Sequence, residues 1–145
     1  MQVKYKILRE GAVLPVRSSA GAAGYDMCAV LETDELVIPP KQKAVIPTGI
    51  AMEIPHGYTV ELYARSGLSV KRGLRLCNSV GLIDEDYRGE FKVALYNDSD
   101  EPQTIHSGDR IAQAVFRRYE TIEFCEAEEL TSTEREAGGF GSTGT

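Results

Sequence analysis

Apolar and polar residues alternate with a period of two along much of this chain. Val3, Tyr5 and Ile7 share one face, as do Ile50, Met52 and Ile54, then Val60, Leu62 and Ala64, then Phe91, Val93 and Leu95. Ile111 and Val115 flank Gln113 in a further short run. Successive side chains of a strand point to opposite faces, so each run predicts a half-buried strand. Turn residues punctuate the runs at Ala20-Gly21, Pro39-Pro40, Pro47-Thr48-Gly49, Pro55-His56-Gly57, Asn97-Asp98-Ser99-Asp100 and Ser107-Gly108-Asp109. Many short strands spaced in this way predict an all-β sandwich or barrel. No strand–helix–strand rhythm appears, which argues against a Rossmann or P-loop architecture. One short helix is expected, with Ser66 as its cap, a turn or two through Arg72, and Gly73 as its stop. A helix start gathers unpaired backbone N–H groups and holds anions, and Arg65 stands directly before this one.

Length and charge narrow the function. The chain has 145 residues, which suits one domain. Sixteen Lys and Arg against twenty-two Asp and Glu give a formal charge of −6. Phosphate neutralisation needs surplus cations, so nucleic acid is not an expected partner. A phosphorylated ligand would have to be held by a few local cations or a metal ion. No apolar stretch approaches the ~20 residues that span a membrane, so no membrane partner is expected. The N-terminus lacks the apolar region of a signal peptide, and a cytoplasmic location is expected. Cys28, Cys77 and Cys125 are far apart and form no Cys-x-x-Cys pair. They read as three small core residues in a reducing compartment.

Several segments carry candidate chemistry, each with a plainer alternative. Arg65-Ser66-Gly67 offers a cation, a hydroxyl and bare backbone, or an ordinary helix cap with a solvated Arg. Asp84-Glu85-Asp86 reads as a solvated acidic turn. Yet Gly81-Leu82-Ile83 ahead of it could partly desolvate Asp84 and make it a base. The Gly-rich end is an anion nest or a frayed terminus, and it lacks the Lys of a Walker loop. Phe140 within it is an aromatic that a solubilising tail does not need, and it could stack on a base. His56 and His106 are not spaced as metal ligands and read as surface or turn residues.

Five stretches, in order, resemble the five motifs of the trimeric dUTP pyrophosphatases (dUTPases). They are Ala22-Ala23-Gly24-Tyr25-Asp26-Met27, then Ala64-Arg65-Ser66-Gly67-Leu68, then residues 78–90 with Asn78, Gly81, Asp84, Tyr87 and Gly89. The fourth is Gly108-Asp109-Arg110-Ile111-Ala112-Gln113, and the fifth is Arg135 followed by Gly138-Gly139-Phe140-Gly141-Ser142-Thr143-Gly144. Glu136 and Ala137 stand where many members have Gly or another small or polar residue.

The resemblance implies an all-β, jelly-roll-like distorted barrel with one short helix, residues 1–134. It implies a C-terminal arm, residues 135–145, that closes over the site. It further implies a homotrimer whose sites are each shared by three chains. One chain contributes Asp26, Arg65, Ser66, Gly67 and Gln113, a second the hairpin from Asn78 to Tyr87, and a third Arg135 and Phe140. The reaction implied is hydrolysis of dUTP to dUMP and pyrophosphate with Mg²⁺, which keeps uracil out of DNA and supplies dUMP for thymidylate synthesis. Asp84 would be the general base. No residue would bind the metal directly, Asp26 lying near it while phosphates and waters hold it. Asn78 and Gly81 would belong to the uracil-reading hairpin, Tyr87 would pack on the deoxyribose, and Phe140 would stack on uracil. Arg135 and Ser142-Thr143 would engage the γ-phosphate, and Gly141 would also touch the substrate. Rival readings are a dCTP deaminase of the same superfamily, a β-barrel that binds single strands, and a dUTP-dependent signalling switch.

Overall fold

The computed structural model describes residues 1–139, so the expectations placed on Phe140, Gly141, Ser142 and Thr143 lie outside the described residues. Among those residues the elements run β1 Lys4–Ile7, β2 Tyr25–Cys28, β3 Glu35–Ile38, β4 Lys43–Pro47, β5 Ile50–Glu53 and β6 Tyr58–Tyr63. There follow α1 Ser66–Arg72, β7 Leu74–Leu76, β8 Gly81–Ile83, β9 Lys92–Asn97, β10 Gln103–His106 and β11 Arg110–Arg118. The strands pair antiparallel in four small sheets, ordered β1-β5, β3-β10, β2-β11-β6-β8 and β4-β9-β7. This is the expected jelly-roll-like, all-β fold with one short helix. None of the described helices is long and apolar enough to cross a membrane.

Each sheet sends apolar side chains into one core: Ile50 from β5, Ile38 and Ile105 from β3 and β10, Met27, Val60 and Leu62 from the largest sheet, and Ile46, Leu74, Val93 and Leu95 from the fourth. Burying one such side chain contributes about 1.5–3 kcal/mol. Buried polar groups close the ends of the strands. The Thr48 hydroxyl donates to the Phe91 carbonyl at 2.6 Å. The Asn97 amide donates to the Ile38 and Glu101 carbonyls and accepts from the Ser99 amide.

The structure departs from the sequence reading in several places. The run Val3, Tyr5, Ile7 does form a strand, but Tyr5 and Ile7 are each 52% exposed. Among the described residues β1 pairs with β5 alone. Ile111 and Gln113 do not share a face. A register shift between Arg110 and Ala112 inserts a residue, so Ile111 and Ala112 are both buried while Gln113 faces the other way. Of the cysteines only Cys28 is buried. Cys77 is intermediate and Cys125 exposed, because the packed strands end at Arg118. Beyond Tyr119 the described chain has no strand or helix and exposes Ile122, Phe124 and Leu130. His56 and His106 are both exposed, as read from the sequence.

Candidate active site

The largest sheet aligns the first, second and fourth motifs. Across β2, β11 and β6, Asp26 pairs with Gln113 and Gln113 with Tyr63, so the three residues lie in one row. Gln113 Nε2 donates to the Ala64 carbonyl at 3.1 Å, which fixes the carboxamide beside the end of β6. Gly24 makes room for it, since a Cβ built there would stand 2.6 Å from Gln113 Oε1 and 3.1 Å from Gln113 Cβ. The Oε1 end can swing away, but the Cβ is tied to the backbone. Gly24→Ala is therefore expected to displace Gln113, lowering kcat/KM about tenfold or more while the fold persists, because misplacing a positioning group by ~1 Å costs up to 10²-fold. Steady-state kinetics beside a melting curve check this, and unchanged kcat/KM would show that Gln113 tolerates the shift.

Chain direction then places Arg65. It follows Ala64, adopts an extended φ,ψ of −88°, 129°, and is the N-cap of α1. Ser66 is therefore the first helical residue rather than the cap, and no side chain caps the helix. An N-cap carbonyl already accepts helical bonds, and here the Arg65 carbonyl accepts from the Leu68 and Ser69 amides at 3.0 Å. Ser66 and Gly67 are left exposed at the helix start. Gly73 ends the helix as read, in the left-handed region at φ 66°.

The Arg65 side chain turns back over the sheet. Its Nε sits 2.8 Å from Asp26 Oδ1, and Arg110 Nη1 sits 3.2 Å from Asp26 Oδ2. The Asp26 side chain is only 10% exposed, so two guanidinium groups balance one nearly buried carboxylate. Ala23, Gly24, Asp26, Ala64, Ser79 and Gln113 line one cleft over this row. The sequence reading assigned no role to Arg110 or Gly24. Both lie inside quoted motifs, but a residue that holds or spaces another leaves no chemical mark of its own.

The third motif links two sheets. β7 pairs with β9, β8 pairs with β6, and residues 77–80 cross between them. Ser79 is left-handed at φ 60°, and the Val80 amide donates to the Asn78 carbonyl at 2.6 Å. Gly81 lies against Leu62, where a Cβ would stand 3.1 Å from Leu62 Cβ and 3.5 Å from Asn78 Nδ2. So a side chain at position 81 would press on Leu62 while Asn78 lies in contact range, and Ser79 at the start of the hairpin lines the cleft.

Asp84 lies elsewhere. Val60 pairs with Ile83, so Asp84 continues opposite Thr59, four residues from the Tyr63 row. At ~3.3 Å per residue and ~4.8 Å per strand, it stands roughly 20 Å from Asp26 within one chain. It lines a separate depression with Thr59, Leu82, Glu85, Asp86 and Tyr119. Asp84 is exposed, and the apolar residues ahead of it do not desolvate it. β8 is the edge of its sheet, and Leu82 is itself 64% exposed. Tyr87 arches over Gly89, its hydroxyl donating to the Glu90 carbonyl at 3.1 Å and its ring 6.3 Å from that of Phe91. Arg135 is exposed, and its Nε donates to the Gly138 carbonyl at 2.8 Å. Glu136 sits at φ 43° and accepts from the Thr133 amide.

Both other hairpin glutamates are engaged. Glu90 receives Arg9 Nε at 2.7 Å and the Gly49 amide at 2.9 Å, with Arg9 the main cause of its lowered pKa. Glu85 faces His56 Nδ1 at 2.9 Å and accepts from the Gly57 amide at 2.6 Å. His56 first, then Tyr119 and Gly57, hold its pKa down to about 2 from 4.5. A lowered carboxylate pKa stabilises the fold fully above about 4.5, and that contribution is lost as pH falls toward 2. Glu85→Gln, which does not titrate, should lack this part of the acid-induced loss. Acid unfolding followed by circular dichroism checks it, and parallel curves would show that these bonds contribute nothing.

A family model described as dUTPase matches residues 10–144. The deoxyuridine 5'-triphosphate nucleotidohydrolase of Wolinella succinogenes is 46% identical over 144 residues, covering 99% of this chain and 95% of that protein. That of Finegoldia magna is 47% identical over 143 residues, covering 98% and 99%. A Staphylococcus phage 80alpha dUTPase variant, solved with dUpNHpp, aligns with a TM-score of 0.90 at 31% identity, covering 99% of each chain.

Proposed function

The chain belongs to the dUTPase family and is a dUTP diphosphatase; on that premise we propose that it splits dUTP into dUMP and pyrophosphate at sites shared between three copies. The separation of Asp84 from the Arg65–Gln113 row supports this reading most directly. A base that acts on the α-phosphorus must stand within a few ångströms of the groups that hold the phosphates. Asp84 stands roughly 16 Å from Gln113 across the strands of one chain, which is too far, so a neighbouring copy supplies the base.

At such a site Asp84 orients a water and accepts its proton. The water oxygen attacks the α-phosphorus in line, and the bond to the bridging oxygen of the leaving pyrophosphate breaks. Arg65, Gln113 and the exposed Ser66 and Gly67 donate to phosphate oxygens where charge gathers. Asn78 and Gly81 shape the uracil-reading hairpin, which excludes the thymine methyl and mismatches the cytosine amine. Tyr87 packs on the deoxyribose and leaves no room for a 2′-hydroxyl. Arg135, Phe140, Gly141 and Ser142 belong to an arm, residues 135–145, that engages uracil and the γ-phosphate. The product dUMP is the precursor for thymidylate, and its formation keeps uracil out of DNA.

Mg²⁺ fits the donor set in one way. Among the described residues no three His, Cys, Asp or Glu side chains gather to cage a metal ion. Asp26 is the one nearly buried carboxylate at the cleft, a hard oxygen donor able to accept from metal-bound waters. An ion held by the phosphates would neutralise the triphosphate charge when bound. The deaminase alternative needs a free glutamate beside a cytosine amine, and both carboxylates are taken up in hydrogen bonds, Glu85 with His56 and the Gly57 amide, Glu90 with Arg9 and the Gly49 amide. Pyrophosphate release from a panel of deoxynucleoside triphosphates, with and without Mg²⁺, tests the reading. Strong release from dUTP alone, dependent on Mg²⁺, is expected. Ammonia from dCTP would overturn it.

A further inference from the structure

We propose that Glu85 is a positioning residue, whose carboxylate holds the turn that carries Asp84 against the body of the barrel. The proposal rests on Asp84 being the general base. Residues 84–87 form a β-turn closed by the Tyr87 amide donating to the Asp84 carbonyl at 3.2 Å. Glu85 occupies the second position of that turn. Asp84 and Asp86 on either side are exposed, and among the described residues no side-chain hydrogen bond joins either to the rest of the chain. Arg88 bonds only within the hairpin, to the Glu85 and Tyr87 carbonyls.

Glu85 alone of the three is bonded to the barrel among the described residues. Its side chain is 27% exposed, and both carboxylate oxygens reach the turn between β5 and β6, at the His56 ring and the Gly57 amide. Tyr119 lines the same depression, and its amide donates to the Gly57 carbonyl at 3.2 Å. Two segments of chain therefore meet on one carboxylate, the Asp84 turn and the β5–β6 turn, and the residue that follows β11 braces the second through Gly57. The Thr59 hydroxyl adds a bond to the Ile83 carbonyl at 2.7 Å, which fixes the approach to Asp84 but not the turn itself. Drawing the middle carboxylate onto His56 and the Gly57 amide ties the turn that carries Asp84 to the β5–β6 turn. Without Glu85 the turn has room to move, and the base moves with it.

The test compares Glu85→Ala and Glu85→Gln with Asp84→Asn, reading kcat, the Kd of the non-hydrolysable analogue dUpNHpp, and the melting temperature. Gln keeps an acceptor for the Gly57 amide and a donor for His56. Misplacing a reacting group by ~1 Å costs up to 10²-fold, so Glu85→Ala should lower kcat about 10- to 100-fold. Analogue affinity should change less than about twofold, and Glu85→Gln should return kcat to within about threefold of the parent. If Glu85→Ala fails to fold, His56→Ala removes one hydrogen bond from that carboxylate at an exposed site and should lower kcat alone. A folded Glu85→Ala with normal kcat, a loss that Gln does not restore, or an unaffected His56→Ala beside an unfolded Glu85→Ala overturns the proposal. Normal turnover in Asp84→Asn would overturn the base assignment and the positioning role with it. An inactive Asp84→Asn beside a fully active Glu85→Ala would overturn the positioning role alone.

Discussion

Asp84→Asn should abolish most turnover and leave substrate binding nearly intact. The two side chains have the same shape, and the substitution removes only the proton acceptor. General-base assistance is worth about 10²–10⁴-fold, so kcat should fall at least that far. The Kd for dUpNHpp should stay close to that of the parent, since the phosphate donors lie on other motifs. Asp84 is exposed and makes no side-chain bond among the described residues, so the melting temperature should not move. Single-turnover kinetics separates chemistry from product release. A kcat within tenfold of the parent would remove Asp84 from the mechanism.

Arg65→Ala should act at two levels. Catalytically it removes a charged donor from phosphate oxygens, and losing one such donor costs about 10²–10³-fold in rate. Structurally it takes one of two guanidinium partners from the nearly buried Asp26. Breaking a buried pair outright costs about 3–5 kcal/mol, and the remaining bond from Arg110 keeps the loss below that range. Arg65→Lys should recover stability better than rate, because an ammonium restores charge but not the planar fork. Calorimetry beside kcat/KM checks both levels. An Arg65→Ala protein with parental kcat/KM would show that Arg65 serves only Asp26.

The period-two runs carry the fold plainly because most strands bury one face. Val60, Leu62, Val93 and Leu95 lie in the core where the alternation puts them. The pattern fails where something other than burial decides. The bulge at Arg110–Ala112 turns Ile111 and Ala112 inward together, and no composition signal marks that extra residue. β1 has the alternation of a buried strand and lies exposed, since among the described residues it pairs with β5 alone. The motif residues were legible as chemistry, but their spacing was not. Residues as distant in sequence as Arg65 and Asp26 meet only through the order of strands in the sheet. The same order separates Asp84 from them. Arg110, Gly24 and Glu85 act by holding other groups, and that role becomes visible only with the register in hand.

Subunit mixing tests the shared site most directly. Asp84→Asn and Arg65→Ala chains, each inactive alone, are combined in equal amounts, dissociated and reassembled. If each site draws Arg65 from one copy and Asp84 from a neighbour, about a quarter of the sites hold both intact residues by random assortment. Turnover of dUTP should then return to about that fraction of the parental rate. If both residues act within one chain, every site carries a defect, and the mixture stays as inactive as its parts.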